Sequence, residues 1–253
     1  MKGGEVEEQL HQLRSKATEL LFREDWEQYI NLYTHFISLC NHHLSQAPES
    51  STNLHKSLSL ALSNRAEARY KLKDLSSALR DCNQALEIDP THLKILTCKG
   101  KVLLDLDRYA QAYECFQRAL SVNKSEALVE LLDRSKKLDA QSRTGQIDLS
   151  DWLLNGFNGK SPDLAEYVGP VEIRMSDNGR RGLFATKTIE AGTPLVITKA
   201  VVLGRGILPE FSDESGTNNA QMVMWKDFED RILDAAEKCS RTLCLILHVV
   251  NWG

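Results

Sequence analysis

Between Ser59 and Val122, apolar and small residues recur at three- and four-residue intervals, interrupted near Lys73-Asp74 and Asp107-Arg108. This period lays the apolar residues along one stripe of an α-helix, so each unbroken stretch predicts a helix and each interruption a turn. Displacing the segment from Ser59 to Pro90 by 34 residues brings it onto a second copy of its own pattern. Leu62 falls on Leu96, Ala66 on Gly100, Leu72 on Leu106 and Leu75 on Tyr109. Ala78 falls on Ala112, Cys82 on Phe116, Ala85 on Ala119, Leu86 on Leu120 and Ile88 on Val122. Each unit is therefore expected to be two antiparallel helices, about 59–72 with 75–88, then about 93–105 with 109–122. Ala66 or Gly100 on the first helix and Ala78 or Ala112 on the second let two backbones approach, while larger residues fill the surrounding volume. Asp89-Pro90 ends a helix, because proline disfavours helical geometry in the residue before it.

A looser copy precedes these two, Ala17-Thr-Glu-Leu-Leu-Phe22 followed by Trp26, Ile30, Tyr33 and Ile37, set apart by extra residues around 46–52. After Asn123, Ser125 can cap a further helix to about Leu138 that covers the last apolar face. The stretches Ser63-Asn-Arg-Ala-Glu-Ala-Arg-Tyr70 and Asp81-Cys-Asn-Gln-Ala-Leu-Glu-Ile-Asp-Pro90 resemble the tetratricopeptide repeat (TPR) family. The resemblance implies a helical superhelix over 7–139, with units at about 10–43, 59–92 and 93–126 and a capping helix at 125–139. In such an array the first helix of each pair lines a concave groove that docks a protein or peptide. That places Arg14, Thr18, Asn64, Lys71, Lys94, Cys98 and Lys101 on the groove, with Arg14, Asn64, Lys71, Lys94 and Lys101 as candidate peptide-binding residues. The TPR subgroup that clamps the acidic C-terminal tails of heat-shock chaperones supplies Lys, Asn, Asn, Lys and Arg at five positions. Here Arg14 and Thr18 stand at the first two, Asn64 and Lys94 match the next two, and Cys98 replaces the Arg. That last change removes a bidentate carboxylate donor, and Lys99 beside it points off the groove. Two readings of the face follow, an acidic-tail groove or a solvated helical face with a stack-filling Asn.

From Ala140 the character changes, and the polar, turn-rich stretch to about residue 167 is expected to be a linker. Gly159-Lys-Ser161 lies within it without the earlier glycine or buried strand of a phosphate loop. Beyond Val168 the period falls toward two, predicting short strands at Val171–Arg174, Gly182–Ala185 and Pro194–Leu203, with turns at Asn178-Gly179 and Ala191-Gly192. The wording from Ser176 to Gly192, followed by the apolar strand, resembles the opening of a SET domain, the S-adenosylmethionine-dependent lysine methyltransferase fold. In that family a Gly-x-Gly backbone lies against the cofactor. The resemblance therefore implies Gly179, Arg180, Arg181, Gly182 and Leu183 as cofactor-binding residues, although Arg180 stands where the first glycine is usual. An array followed by this module resembles the TPR-SET family. The implied architecture is mainly α, a TPR superhelix followed by a partial β module at 168–253 with a helical insertion. That insertion would be Trp225–Cys239, with Trp225, Phe228, Ile232, Leu233 and Ala236 on one face. SET catalysis also needs an Asn-His-x-Cys segment and a later Tyr; neither occurs in these residues, so no catalytic residue is assigned. The apolar run Leu243–Val250 close to Gly253 suggests a truncated chain.

Composition narrows the partners. With 31 Lys+Arg against 35 Asp+Glu and a net charge of −4, neither a strongly basic nucleic-acid binder nor an acidic disordered tail is expected. No apolar run is long enough to span a bilayer, and no signal-peptide pattern opens the sequence, so no membrane partner is expected. Six cysteines without a Cys-x-x-Cys pair point to a reduced protein of cytoplasm or nucleus, and a monomer is expected. His42 and His43 are adjacent and diverge by about 100° on a helix, which does not suit one metal ion; no metal ligand is assigned. Two functions remain, a peptide-docking scaffold of co-chaperone-like kind or the N-terminal part of a TPR-SET lysine methyltransferase.

Overall fold

In a computed structural model, residues 12–13, 15–46, 52–148, 150, 163–199, 226, 228–234 and 236 are described. The chain divides into two units, Met1–Thr198 and Lys199–Gly253. In the first, helix α1 takes in residues 12–13 and 15–22. There follow α2 (Trp26–Gln46), α3 (Thr52–Lys71), α4 (Leu75–Ile88), α5 (Leu93–Asp105), α6 (Tyr109–Val122) and α7 (Glu126–Thr144). From α2 to α7 each helix packs against the next, and α3 also meets α5. The expected bounds of α4, α5 and α6 are those observed.

The turn between the helices of each pair carries a left-handed residue, Glu24, Lys73 or Asp107, with φ of 54°, 60° and 58°. Asp74 begins α4 by accepting the Ser77 N–H at 3.2 Å, which satisfies one of the donors left open at a helix start. Asp89 closes α4, its N–H donating to the Ala85 carbonyl, and its carboxylate then accepts from Thr91. Two expectations fail at the array's edges. Helix α3 begins at Thr52 rather than near 59, because Leu54 and Leu58 join Phe36, Ile37, Cys40 and Leu44 in the main apolar cluster. Residues 52–58, ahead of the expected start, are thus helix, and residues 47–51 lie outside those described. Both arms are extended, α2 and α3 having 21 and 20 residues where α4 and α5 have 14 and 13.

Helix α7 runs past residue 138 to Thr144, and Gly145, with φ +67°, donates to Gln141 at 2.8 Å to close it. Ser125 stands at its N-cap but makes no side-chain capping bond. The stretch expected to be linker is therefore partly helix, and its far end folds back on α7. Arg134 takes Asp163 bidentately at 2.6 and 2.9 Å, and the buried Gln141 accepts the Ala165 N–H at 3.2 Å. The Tyr167 ring fills the space beside Gly145 that any Cβ would occupy.

The β elements are small. β1 (Tyr167–Val168) pairs antiparallel with β4 (Val196–Ile197), and β2 (Val171–Met175) pairs antiparallel with β3 (Arg181–Ala185). The strand expected over 194–203 is two residues long among those described, residues 200–203 lying outside them. Gly179, φ +70°, makes the β2–β3 turn, with Ser176 donating to Arg180 at 2.6 Å from its N–H and 2.7 Å from its hydroxyl. Ile173, Met175 and Leu183 on one hairpin face are more than half exposed.

The core lies between the helix pairs, where Ala66, Ala78, Cys82, Ala85, Val102, Ala112, Phe116 and Ala119 have no accessible surface. Phe22, expected to belong to the first repeat's apolar pattern, is 86% exposed. In the second unit residues 226, 228–234 and 236 are helical. Ala236 is buried there, whereas Leu233, expected on the same face, is exposed.

Candidate peptide-binding site

Helix α3 of the candidate face is fixed to its neighbours by a buried ionic knot. Arg65 and Arg69, one turn apart on α3, both reach Asp81 on α4, whose side chain is 2% exposed. Arg65 binds it bidentately at 2.8 and 2.9 Å, and Arg69 adds a contact at 2.8 Å. Arg65 also donates to Thr34 of α2 at 3.1 Å, so one guanidinium ties three helices. A planar fork with five donors suits this task better than an ammonium.

One residue before Arg65, Asn64 points between α2 and α5. Its Nδ2 donates to the Tyr33 hydroxyl at 2.9 Å, and its Oδ1 accepts from Lys94 Nζ at 2.9 Å. Lys94 also pairs with Glu67 at 2.7 Å. Burial raises the pKa of the Tyr29 hydroxyl, and its hydrogen bond with Tyr33 raises it further. Beside Asn64 opens an apolar cavity of about 100 Å³, lined by Leu13, Leu32, Tyr33, Phe36, Leu60 and Ala61 among others. An amide that lines an apolar recess thus also holds a cation, which is chemistry suited to a carboxylate with an apolar side chain nearby.

Of the residues expected on this face, Asn64 and Lys94 are brought into contact. Lys71 ends α3 and Lys101 lies on α5, both exposed; Thr18 is exposed on α1, and Arg14 lies outside the described residues. Cys98 is 8% exposed. Its thiol pKa is lowered, first by a hydrogen bond with Cys82 and then by the cations Lys101 and Lys94, against burial and Glu67. A buried thiol thus stands at the position where the resemblance calls for Arg. Cys40 is farther inside, and burial pushes its thiol up to about 11. Glu67 and Tyr33 complete the cluster without being cations, the type a carboxylate ligand calls for. Glu67 follows Asn64 by three residues, a spacing that puts it on the same helical face. At the C-terminal end of α3, Lys73 pairs with Asp105 at 2.9 Å and lies over the Tyr70 ring. Among the described residues no three His, Cys, Asp or Glu side chains gather to hold a metal ion.

The residues implied for S-adenosylmethionine lie on the β2–β3 hairpin. Gly179, Arg180, Arg181 and Leu183 are exposed and Gly182 half-buried. Gly179 is required by the left-handed turn, and a Cβ there would meet nothing within 4 Å. At Gly182 a Cβ would lie 2.9 Å from the Phe184 ring, over which the Arg174 guanidinium stacks at 4.1 Å. The hairpin therefore offers a single exposed wall, and the open side of Gly182 is filled from within. These residues do not by themselves fit a nucleoside-bearing cofactor.

Residues 59–92 and 94–126 each match a family model described as tetratricopeptide repeat. The chain is 29% identical over 191 residues to tetratricopeptide repeat protein 12 of Mus musculus, covering 69% of this chain and 25% of that protein. It is 36% identical over 77 residues to Hsp70-Hsp90 organizing protein 2 of Arabidopsis thaliana, covering 30% of this chain and 13% of that protein. Over 169 residues it is 27% identical to a protein of Gibberella zeae named Methyltransferase, covering 65% of this chain and 22% of that one. The chain thus spans a quarter or less of the length of these curated relatives. Within a mainly helical chain, residues 59–92 and 94–126 are tetratricopeptide repeats.

Proposed function

We propose that this chain is a protein-interaction protein whose α1, α3 and α5 face receives a peptide by its C-terminal carboxylate, in the manner of a co-chaperone-like adaptor. The observation that carries the proposal is the meeting of Lys94 and Asn64 at 2.9 Å beside the apolar cavity. The likeness to a protein named as an Hsp70-Hsp90 organizing protein supports it. The test is fluorescence anisotropy with a labelled heptapeptide ending in a free carboxylate and with its C-terminal amide. The carboxylate form is expected to bind more tightly. Lys94→Ala is expected to weaken it about tenfold, since a hydrogen bond to a charged group contributes about 1.5–3 kcal/mol. Equal affinity for acid and amide would refute carboxylate recognition at this face.

A second reading rests on the likeness to the protein named Methyltransferase and on the wording from Ser176 to Gly192. In it the chain belongs to the TPR-SET lysine methyltransferases, and Gly179–Leu183 form one edge of an S-adenosylmethionine site, the cofactor supplying an electrophilic methyl group. These 253 residues contain no Asn-His-x-Cys segment and no Tyr beyond Tyr167, so none of them closes that site or orients a lysine amine. Isothermal titration of this chain with S-adenosylmethionine is accordingly expected to give no saturable binding tighter than about 1 mM. A micromolar Kd would assign the cofactor site to these residues.

A further inference from the structure

The carboxylate that Lys94 holds is this chain's own. Glu67 lies one helical turn beyond Asn64 on α3, and its Oε2 is 2.7 Å from Lys94 Nζ. Lys94 also donates to Asn64 Oδ1, and the other end of that amide is committed to Tyr33. Tyr33, Asn64, Lys94 and Glu67 therefore close into one chain of contacts from α2 to α5, with Glu67 in the place an arriving carboxylate needs. The Lys94 and Glu67 side chains are 45% and 47% exposed, so a ligand reaches both and exchange needs no opening of the core.

We propose that Glu67 is a specificity-determining residue of this face. It competes with the ligand for Lys94, and the ligand that displaces it best carries a C-terminal carboxylate for Lys94 and a basic residue for the released Glu67. The inference rests on the reading of the face as a peptide groove. A wholly acidic tail brings its charge against Glu67 and leaves that carboxylate unpaired, whereas a mixed-charge tail exchanges one ion pair for two.

The experiment compares two heptapeptides with free C-terminal carboxylates, one wholly acidic and one with a lysine in the penultimate position, on the wild-type chain and on Glu67→Gln. The wild type is expected to prefer the lysine-bearing peptide by about fivefold, the scale of one exposed ion pair. Glu67→Gln is expected to lose that preference and to bind the acidic peptide about fivefold more tightly. Without any ligand, acetylation of the Lys94 amine, followed by mass spectrometry, is expected to be faster in Glu67→Gln, with Lys71 and Lys101 unchanged. If both proteins bind with the same preference and Lys94 reacts at the same rate, Glu67 does not compete and the inference falls while the groove reading stands. If Lys94 reacts faster in the variant but neither peptide binds either protein, the groove reading falls and takes the specificity role with it.

Discussion

Replacing Asp81 by alanine is expected to cost the folded array about 3–5 kcal/mol, the usual penalty for leaving buried charge without its partner. The Arg65 and Arg69 side chains are only 11% and 19% exposed, and both are turned toward Asp81 from α3. Without the carboxylate, two guanidinium groups remain in a dry seam where neither can recover its hydration. The measurement is urea-induced unfolding followed by circular dichroism. A second variant separates the loss of a partner from the loss of attraction. Arg65→Met, Arg69→Met and Asp81→Leu together remove all three charges and keep apolar volume, and should recover most of the lost stability. A loss below about 1 kcal/mol for Asp81→Ala, the scale of an exposed pair, would mean that water reaches the seam.

Gly100→Ala is the second large effect expected. Alanine is ordinarily the better residue in a helix, by about 1 kcal/mol. Here its Cβ would lie 2.4 Å from Phe116 Cε1, and the Phe116 ring is fully buried with nowhere to withdraw. Overpacking of this kind costs about 1–3 kcal/mol, so the propensity gain is outweighed and the variant should be less stable. The preceding repeat shows the complementary solution, since Ala66 and Cys82 occupy the positions of Gly100 and Phe116. Phe116→Cys alone leaves a cavity and is expected to cost about 3 kcal/mol. Combined with Gly100→Ala it should cost less than the two losses added, with a coupling of about 1–3 kcal/mol in a double-mutant cycle. Simple additivity would show that the two sites relax independently.

The match between these two pairs explains why so much of the array is legible in the sequence. Ala66 and Cys82, set against Gly100 and Phe116, keep the same spacing while trading volume across a contact, and the 34-residue overlap recovers it without any structure. The bounds of α4, α5 and α6 follow from that overlap. No second copy exists for Thr52–Leu58, whose apolar content is Leu54 and Leu58, so the start of α3 had nothing to be compared with. On the candidate face the cations Lys94, Lys71 and Lys101 are legible as candidates because a carboxylate ligand would call for them. Glu67 escaped because opposite charge on such a face is informative only once its distance to Lys94 is known. In the hairpin, Gly179 and Gly182 are singled out by the resemblance as cofactor-binding positions. The reasons visible in the fold are a left-handed turn and the ring of Phe184, packing causes that a motif does not distinguish from approach to a ligand.

The lengthened α2–α3 pair has a consequence for how such arrays change over time. Helices α2 and α3 each exceed their counterparts α4 and α5 by seven residues. Seven residues fall only about 20° short of two full turns, so both arms reach about 10 Å farther while their apolar stripe keeps its bearing. Leu54 and Leu58 accordingly continue the line of Ala61 and Leu62 into the same cluster. An insertion of two or three residues in one arm would swing that line toward water and leave the arms unequal. Growth sideways from the array thus has a reading frame of its own, counted in heptads and taken on both arms together, and lineages of such proteins should carry hairpin insertions near multiples of fourteen.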